Sequence, residues 1–431
     1  MKKTIFLAFV LLCGYTAVAQ YRSYSKEGLN EFETPKSEDK TFNKVKLNIG
    51  GHFNQSFQAL NHSNTAEPRM NAGVDQNKLI DIGPGFNTAT ANLYFDVHLA
   101  EGVYMNMALY LSSRHHNETW VKGGYIRFDK LPFIKSDFLD HIMKYTSIKV
   151  GHMEINYGDA HYRRTDNGNG MYNPFIESYI MDAFTTEIGT EVNVSHKGFL
   201  ASASVTNGMI NGRPLIQPAV EGISDGKADP AFIGKVGYDN QLTQDLRVRL
   251  TGSVYHTSGS NSNTLYGGDR AGSHYYGVLD NALTTSTFTS GRLNPGFGDK
   301  VTALMGNLFV KFGGLESFTT LESASGRGRT EVIPADGQRK AGQFATDLLY
   351  RFGKNENLWL GARYNVANAR LAGYNDDVTI NRIAISAGWF VTKNLLAKLE
   401  YVKQNYQGFN SNDIRNGGQF NGIALQAVVG F

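Results

Sequence analysis

Between positions 91 and 111 the chain reads A-N-L-Y-F-D-V-H-L-A-E-G-V-Y-M-N-M-A-L-Y-L, an alternation that restricts the possible folds more than any other feature. On the first arm Ala91, Leu93, Phe95, Val97 and Leu99 are apolar, while Asn92, Tyr94, Asp96 and His98 are mostly polar. After the turn at Ala100, Glu101 and Gly102, the residues Val103, Met105, Met107, Leu109 and Leu111 continue the pattern. A period of two held over about ten residues makes a strand with one apolar and one polar face. Strands of soluble sheets run nearer five or six residues. Ten is about what a tilted strand needs to cross a bilayer.

The unit recurs along the chain. Candidate strands lie at 45–59, 120–128, 147–154 and 188–194, the last answered by 199–205 across the turn at His196, Lys197 and Gly198. Further pairs are 231–238 with 246–255, 303–312 with 315–323, 344–352 with 358–366, and 383–391 with 395–402; 423–431 closes the chain. The segment 129–145 holds Ile134, Phe138 and Ile142 at spacing four, as a short amphipathic helix would. Connections at 100–102, 196–198, 239–245, 312–314, 353–357 and 392–394 are short. Those at 60–88, 155–184, 207–229, 257–300, 325–340, 368–379 and 405–418 are long. Short turns at one end and long loops at the other are the signature of an outer-membrane barrel with periplasmic turns and extracellular loops. The expected fold is therefore all-β, a transmembrane antiparallel β-barrel of about sixteen strands spanning 45–431. Closure follows because unpaired sheet edges cannot face lipid. A secreted β-sandwich would alternate equally well, but it explains neither the one-sided loop lengths nor Phe431 in phase with the apolar face.

Composition narrows the function. Aromatic residues make up 12% of the 431 residues and Pro is scarce, at 10 against 47 Gly, as β-structure favours. A mean hydropathy of −0.32 excludes a helical membrane protein but not a barrel with polar loops and lumen. The first nineteen residues read as a secretory signal: Lys2 and Lys3, an apolar stretch from Ile5 to Leu12, and Ala17-Val18-Ala19 before Gln20. Residues 20–44 follow as a polar, flexible periplasmic extension. Two of the net +3 charges lie in the leader, so the remainder is close to neutral and is no nucleic-acid binder. The single cysteine, Cys13, also lies in the leader, which removes disulfides and thiolate chemistry from the exported chain. The localisation implied is the bacterial outer membrane, with lipid and lipopolysaccharide around the wall.

If the apolar faces meet lipid, the opposite faces line the lumen. By phase these include Lys46, Asp96, His98, Lys149, Glu191, Arg247, Arg249, Lys311, Asp347, Arg351, Arg363, Arg382, Lys398 and Glu400, with basic residues in about a twofold excess over acidic ones. A positively lined pore attracts anions; paired charges that keep the lumen wet are the bland alternative. The third long loop, 155–184 (third on its side of the barrel after 60–88 and the connection before 120), mixes Asp159, His161, Arg163, Arg164 and Asp166 with Tyr172, Phe175, Tyr179, Ile180, Met181 and Phe184. An exposed loop has no need of those apolar groups. Folded inward it would narrow the pore and set its two arginines at the constriction.

The octapeptide 151–158, G-H-M-E-I-N-Y-G, resembles a strand of the phosphate-selective porin O/P group and related Bacteroidota outer-membrane porins. The block 159–189 is similar to the latter in particular. The resemblance covers some fifty residues and implies a channel for small solutes, often a homotrimer. Asp96, Glu191, Asp347 and Glu400 depart from the basic lining of phosphate-selective members.

Enzymatic readings are weak. His115-His116, His256 and His274 lie near expected extracellular ends with Ser or Asp nearby, as chance alone provides in a chain with 11 His. Asp166-Asn167-Gly168 and Asn375-Asp376-Asp377 could hold structural Ca²⁺, but neither matches a full twelve-residue loop and solvated turns explain both. No cofactor or metal is required. The expectation is a passive porin for small hydrophilic solutes with weak anion preference, constricted by 155–184. The alternative is a non-conducting barrel serving as receptor or scaffold in an outer-membrane complex.

Overall fold

A computed structural model describes residues 21–34, 36, 42–112, 119–211, 228–260, 262–268, 272–281, 289–331 and 338–431. The expected leader, 1–19, and His115 and His116 lie outside the described residues.

Among the described residues, sixteen long strands form one closed antiparallel sheet. They are β1 (Lys46–Ser63), β2 (Thr90–Ala100), β3 (Val103–Ser112), β4 (Thr119–Phe128), β5 (Thr146–Glu154), β6 (Thr186–His196), β7 (Phe199–Thr206) and β8 (Ala231–Gln241). They continue as β9 (Leu246–Thr257), β10 (Lys300–Phe312), β11 (Leu315–Arg327), β12 (Arg339–Phe352), β13 (Leu358–Ala369), β14 (Val378–Thr392), β15 (Leu395–Gln407) and β16 (Gln419–Gly430). Each pairs with the next in sequence, and β1 pairs with both β2 and β16, so no edge remains. The seam is locked at its end by reciprocal bonds: the Gly51 amide donates to the Phe431 carbonyl at 2.9 Å and the Phe431 amide to the Gly51 carbonyl at 3.1 Å.

The outward face carries the apolar half of every alternation. In β14, Ile383, Ile385, Trp389 and Val391 are exposed while Arg382, Ala384, Ser386 and Phe390 are buried. Only lipid satisfies such a surface on a wall this size. Near the short turns the outward face becomes aromatic, with Phe133, Phe138, Tyr145, Phe199, Phe312, Tyr350, Phe352 and Trp389 exposed. Such a girdle marks a membrane interface. Most short turns need two residues; at Lys197 and Gly198 both φ are positive (50° and 85°), the geometry that matches strand twist in a two-residue hairpin. The exception at this end is 129–145, which contains helix α1 (Asp137–Met143). The Ser136 hydroxyl caps it by accepting from the Leu139 amide at 3.4 Å, and Phe138 lies exposed on its outer side. Ile134 precedes the helix instead of joining it.

Candidate functional site: the barrel interior

Sequence alternation predicts a polar lumen, yet much of the inward face is apolar. Ile233, Phe309, Phe318, Leu349, Trp359, Phe390, Leu396, Val402 and Phe420 are buried there. They pack against side chains that enter from the loops. Met171, Tyr172 and Phe175 of the third long loop cluster with Trp359, Phe390, Leu396 and Val428, and Tyr179 joins Phe309 and Phe318. Ile176, Ile180 and Met181 join Tyr266, Tyr275, Val278, Leu293 and Phe297 of the loop between β9 and β10. The barrel therefore encloses a hydrophobic core made by its own loops.

A loop inside a barrel must have its backbone polar groups satisfied there. The wall supplies the partners. Ser253 accepts from the Gly158 amide at 3.1 Å and Asn307 from the Asp159 amide at 2.8 Å. The Glu400 carboxylate accepts from the Ile176 amide at 2.8 Å, Asn365 from that of Ile180 at 2.7 Å, and Gln343 from that of Met181 at 2.9 Å. On the opposite wall Asn92 donates to the Asp166 carbonyl at 2.8 Å, and the Asn167 side chain donates to the Ala91 carbonyl at 2.7 Å. Gly168 permits this approach, since a Cβ there would stand 2.4 Å from the Ala91 Cα. The loop thus spans the interior from β8–β10 to β1–β4 and back to β12–β15.

Lys46, at the start of β1, is exposed, whereas the other lysines and arginines expected to line a pore are engaged by protein. Lys398 donates to the carbonyls of Gly170, Asn173 and Phe175 at 2.9, 3.2 and 3.0 Å. Arg363 grips Asp347 with two bonds (2.7 and 2.9 Å) and donates to the Glu177 carbonyl at 2.7 Å. Arg382 donates to Gln404, to the Ser178 carbonyl and to the Gly291 carbonyl at 2.6, 2.7 and 2.8 Å. Arg351 and Arg163 share Glu316 at 2.9 and 2.7 Å. Arg247 pairs with Asp239 at 2.7 Å and Lys311 with Glu356 at 2.6 Å. Arg249 and Lys235 converge on Asp159, with N–O distances of 2.8 and 2.9 Å. Within the loop, Arg164 clasps Asp182 at 3.0 and 2.6 Å, bonds Asp166 at 2.8 Å and stacks 3.8 Å over Phe184. Asp166 is also bonded by Tyr110 and Lys122, which leaves its carboxylate committed to cationic and hydroxyl partners. Guanidinium and ammonium groups suit this role because they donate to several oxygens at once.

Two residues central to this network were absent from the sequence-derived lumen set. Lys235 is in phase with the inward residues of β8 and could have been read from them. Lys122 could not, because the β3–β4 register shifts between Ala108 and Leu109 and Lys122 occupies the irregularity.

A second loop caps the first. Glu177 receives the Ser273 hydroxyl at 2.8 Å, the His274 amide and Arg292 at 2.9 Å. Burial pushes this carboxyl up, but Arg292 and the His274 amide outweigh burial and hold it well below the usual carboxylate range. His256 bonds Thr302 and Ser258 at 2.9 and 3.2 Å, while His274 lies in this buried loop.

Residues 21–34, expected as a flexible extension, also lie against the inside of the wall. Ser25, Gly28, Asn30 and Phe32 are buried. Tyr24 stacks on Tyr94 at 4.4 Å and Arg22 lies 3.5 Å over the Tyr172 ring. Gly50 makes room for Tyr24, whose ring would be 2.1 Å from a Cβ at that position.

Open space adjoins the third long loop beside β3–β6. A cavity of about 220 Å³ is lined there by Lys122, Tyr125, Lys149, Glu154, His161, Arg164 and Asp166, with Tyr21, Arg22 and Tyr24 from the N-terminal segment. His161 bonds Glu154 at 2.6 Å, and burial lowers the His161 pKa below its usual value. Lys149 pairs with Glu191 at 2.9 Å, the lysine partly open and the carboxylate fully covered.

No protein-family model matches the sequence, and comparison with curated proteins likewise finds no match. Among solved structures the chain is similar to an anion-selective porin from Comamonas acidovorans, with TM-score 0.51, 10% identity, and 90% of this chain and 100% of that chain covered. It is also similar to the outer membrane channel DcaP of Acinetobacter baumannii, with TM-score 0.51, 12% identity, and 91% and 99% covered. At these identities the likeness is one of fold. Closed sheet, lipid-facing apolar band, aromatic girdle and this shared architecture together make the chain a sixteen-stranded β-barrel of the bacterial outer membrane.

Proposed function

We propose that the protein is a porin-like passive channel for small hydrophilic solutes, with 155–184 as its constriction and a weak preference for anions. The observation that carries this reading is the third long loop's path. It crosses the interior and is bonded to both walls, so solutes must pass beside it, and the 220 Å³ cavity along β3–β6 is the space left for them. Asp159, Arg163, Arg247, Arg249, Lys311, Arg351, Arg363, Arg382 and Lys398 serve in this reading as the frame that holds the constriction. Lys149, His161, Arg164 and Asp166 face the route itself. The anion preference rests on Lys149, because its side chain is 22% exposed whereas its partner Glu191 is 0% exposed. Lipid and lipopolysaccharide surround the wall, a homotrimer is the assembly to test, and no bond-making chemistry is involved.

The filled interior favours a second reading, a non-conducting receptor or scaffold barrel. Single-channel recording of the refolded protein under a salt gradient decides between them. Discrete steps with a reversal potential favouring chloride, shifted toward cations in Lys149→Glu, support the channel. A heat-modifiable barrel that never conducts supports the scaffold.

A further inference from the structure

We propose that residues 21–34 are a displaceable plug for the periplasmic mouth, an inference that rests on the channel reading above. The segment runs round the inside of the barrel near the short turns. Tyr24 donates to Asp96 at 2.9 Å, the Lys26 amide donates to the Lys393 carbonyl at 2.8 Å, and Asn30 donates to Glu316 at 2.8 Å. Phe32 packs at 5.5 Å from Phe309, and Glu33 pairs with Arg249 at 2.7 Å and Lys235 at 3.2 Å. Its residues line two cavities. Tyr21, Arg22, Tyr24 and Thr34 face the chamber beside the third long loop, whereas Lys26, Leu29 and Asn30 face a vestibule of about 520 Å³ bordered by the turns after β8, β10 and β12. The segment therefore stands between the chamber and the turn side of the barrel.

What makes it displaceable is that the wall's polar groups are satisfied without it. Lys235 and Arg249 retain Asp159, and Arg247 retains Asp239. Glu316 retains Arg163 and Arg351, Asp96 retains Asn106 at 2.6 Å, and His52 retains Tyr94 at 3.3 Å. Withdrawal leaves no orphaned charge behind it, and an orphaned buried charge is what makes most buried ion pairs impossible to break. Glu33, Arg22 and Lys26 leave with the segment and are solvated outside. The third long loop is different: lifting it would strip Lys398 of three carbonyl partners and take the fully buried Asp159 carboxylate from both Arg249 and Lys235.

The test records conductance of the refolded chain lacking the leader, with and without residues 21–34, heat-modifiability confirming the fold. The expected result is low or intermittent conductance for the full chain and a steady, severalfold larger conductance for the deletion. Equal, steady conductance of the two overturns the plug while leaving the channel. Silence of both overturns the channel reading and the plug with it. A second measurement needs no deletion. Ser25 is 5% exposed, and with Cys13 absent along with the leader, Ser25→Cys carries the only thiol. An impermeant thiol reagent should label it in folded barrels, and Glu33→Gln should speed labelling about tenfold, the size set by losing a charge-assisted hydrogen bond. A thiol that stays silent in both until the barrel is denatured overturns the proposal.

Discussion

Asp159 and Glu33 bind the same two cations from different segments, and their removal should have very different consequences. Asp159 is 0% exposed and receives Arg249 through two bonds of 2.8 Å, Lys235 at 2.9 Å and Thr251 at 2.7 Å. Glu33 keeps 23% of its side chain exposed and lies farther from Lys235, at 3.2 Å. Removing one partner of a buried pair costs about 3–5 kcal/mol, mostly through the charge left behind. In Asp159→Ala, Lys235 and Arg249 still have Glu33, and Arg249 also has Asp239 at 3.2 Å, so the lower limit, about 3 kcal/mol, is expected. In Glu33→Ala both cations keep Asp159, and the loss is that of charge-assisted bonds alone, about 1–2 kcal/mol. The double variant leaves Lys235 without a carboxylate partner and should cost more than the sum of the singles by about 1 kcal/mol. Equilibrium urea unfolding of the refolded barrel, followed by fluorescence of the 3 tryptophans, measures all three. A Glu33 effect as large as that of Asp159, or strict additivity, would refute the argument that Asp159 is the primary counter-charge and Glu33 the dispensable one.

Other consequences concern the same interior. Burial raises the Glu33 pKa, but Lys235 and Arg249 outweigh it and hold it at about 2 against an ordinary 4.5. Its stabilisation is therefore complete above pH 4.5 and lost as pH falls toward 2. Pepsin cleavage near Phe32 in intact barrels should rise over that window, and a flat profile would contradict the assigned pairing. Gly168→Val places side-chain atoms against the β2 backbone and should cost about 1–3 kcal/mol, with faster proteolysis within 160–180; unchanged protection would show that the tip does not seat against β2. Glu177→Ala takes from Arg292 its 2.9 Å carboxylate partner and frees the covering loop from the third, so cleavage within 272–281 should accelerate while the barrel remains heat-modifiable. Equal cleavage rates would show that apolar packing alone holds that loop.

The alternation in 91–111 and its repeats determined the class of fold, because a two-residue period assigns each side chain to a face whatever lies beyond it. Strand number, the alternation of short and long connections, and the inward direction of Arg249, Arg363, Arg382 and Lys398 were all legible for that reason. Pro174-Phe175 and Tyr179-Ile180-Met181 also signalled a loop that packs on something, since apolar groups in a solvated loop have no other use. The sequence could not say what the inward cations meet. Lys398 against three loop carbonyls and Lys149 beside an open cavity look alike in phase, and only the path of the loop separates them. Nor could periodicity place residues 21–34, whose contacts to Glu316, Lys235 and Asp96 join positions far apart in the chain. A strand's period is local and survives in the sequence. The filling of a barrel depends on which distant segments share one enclosed volume, and only the tertiary structure decides that.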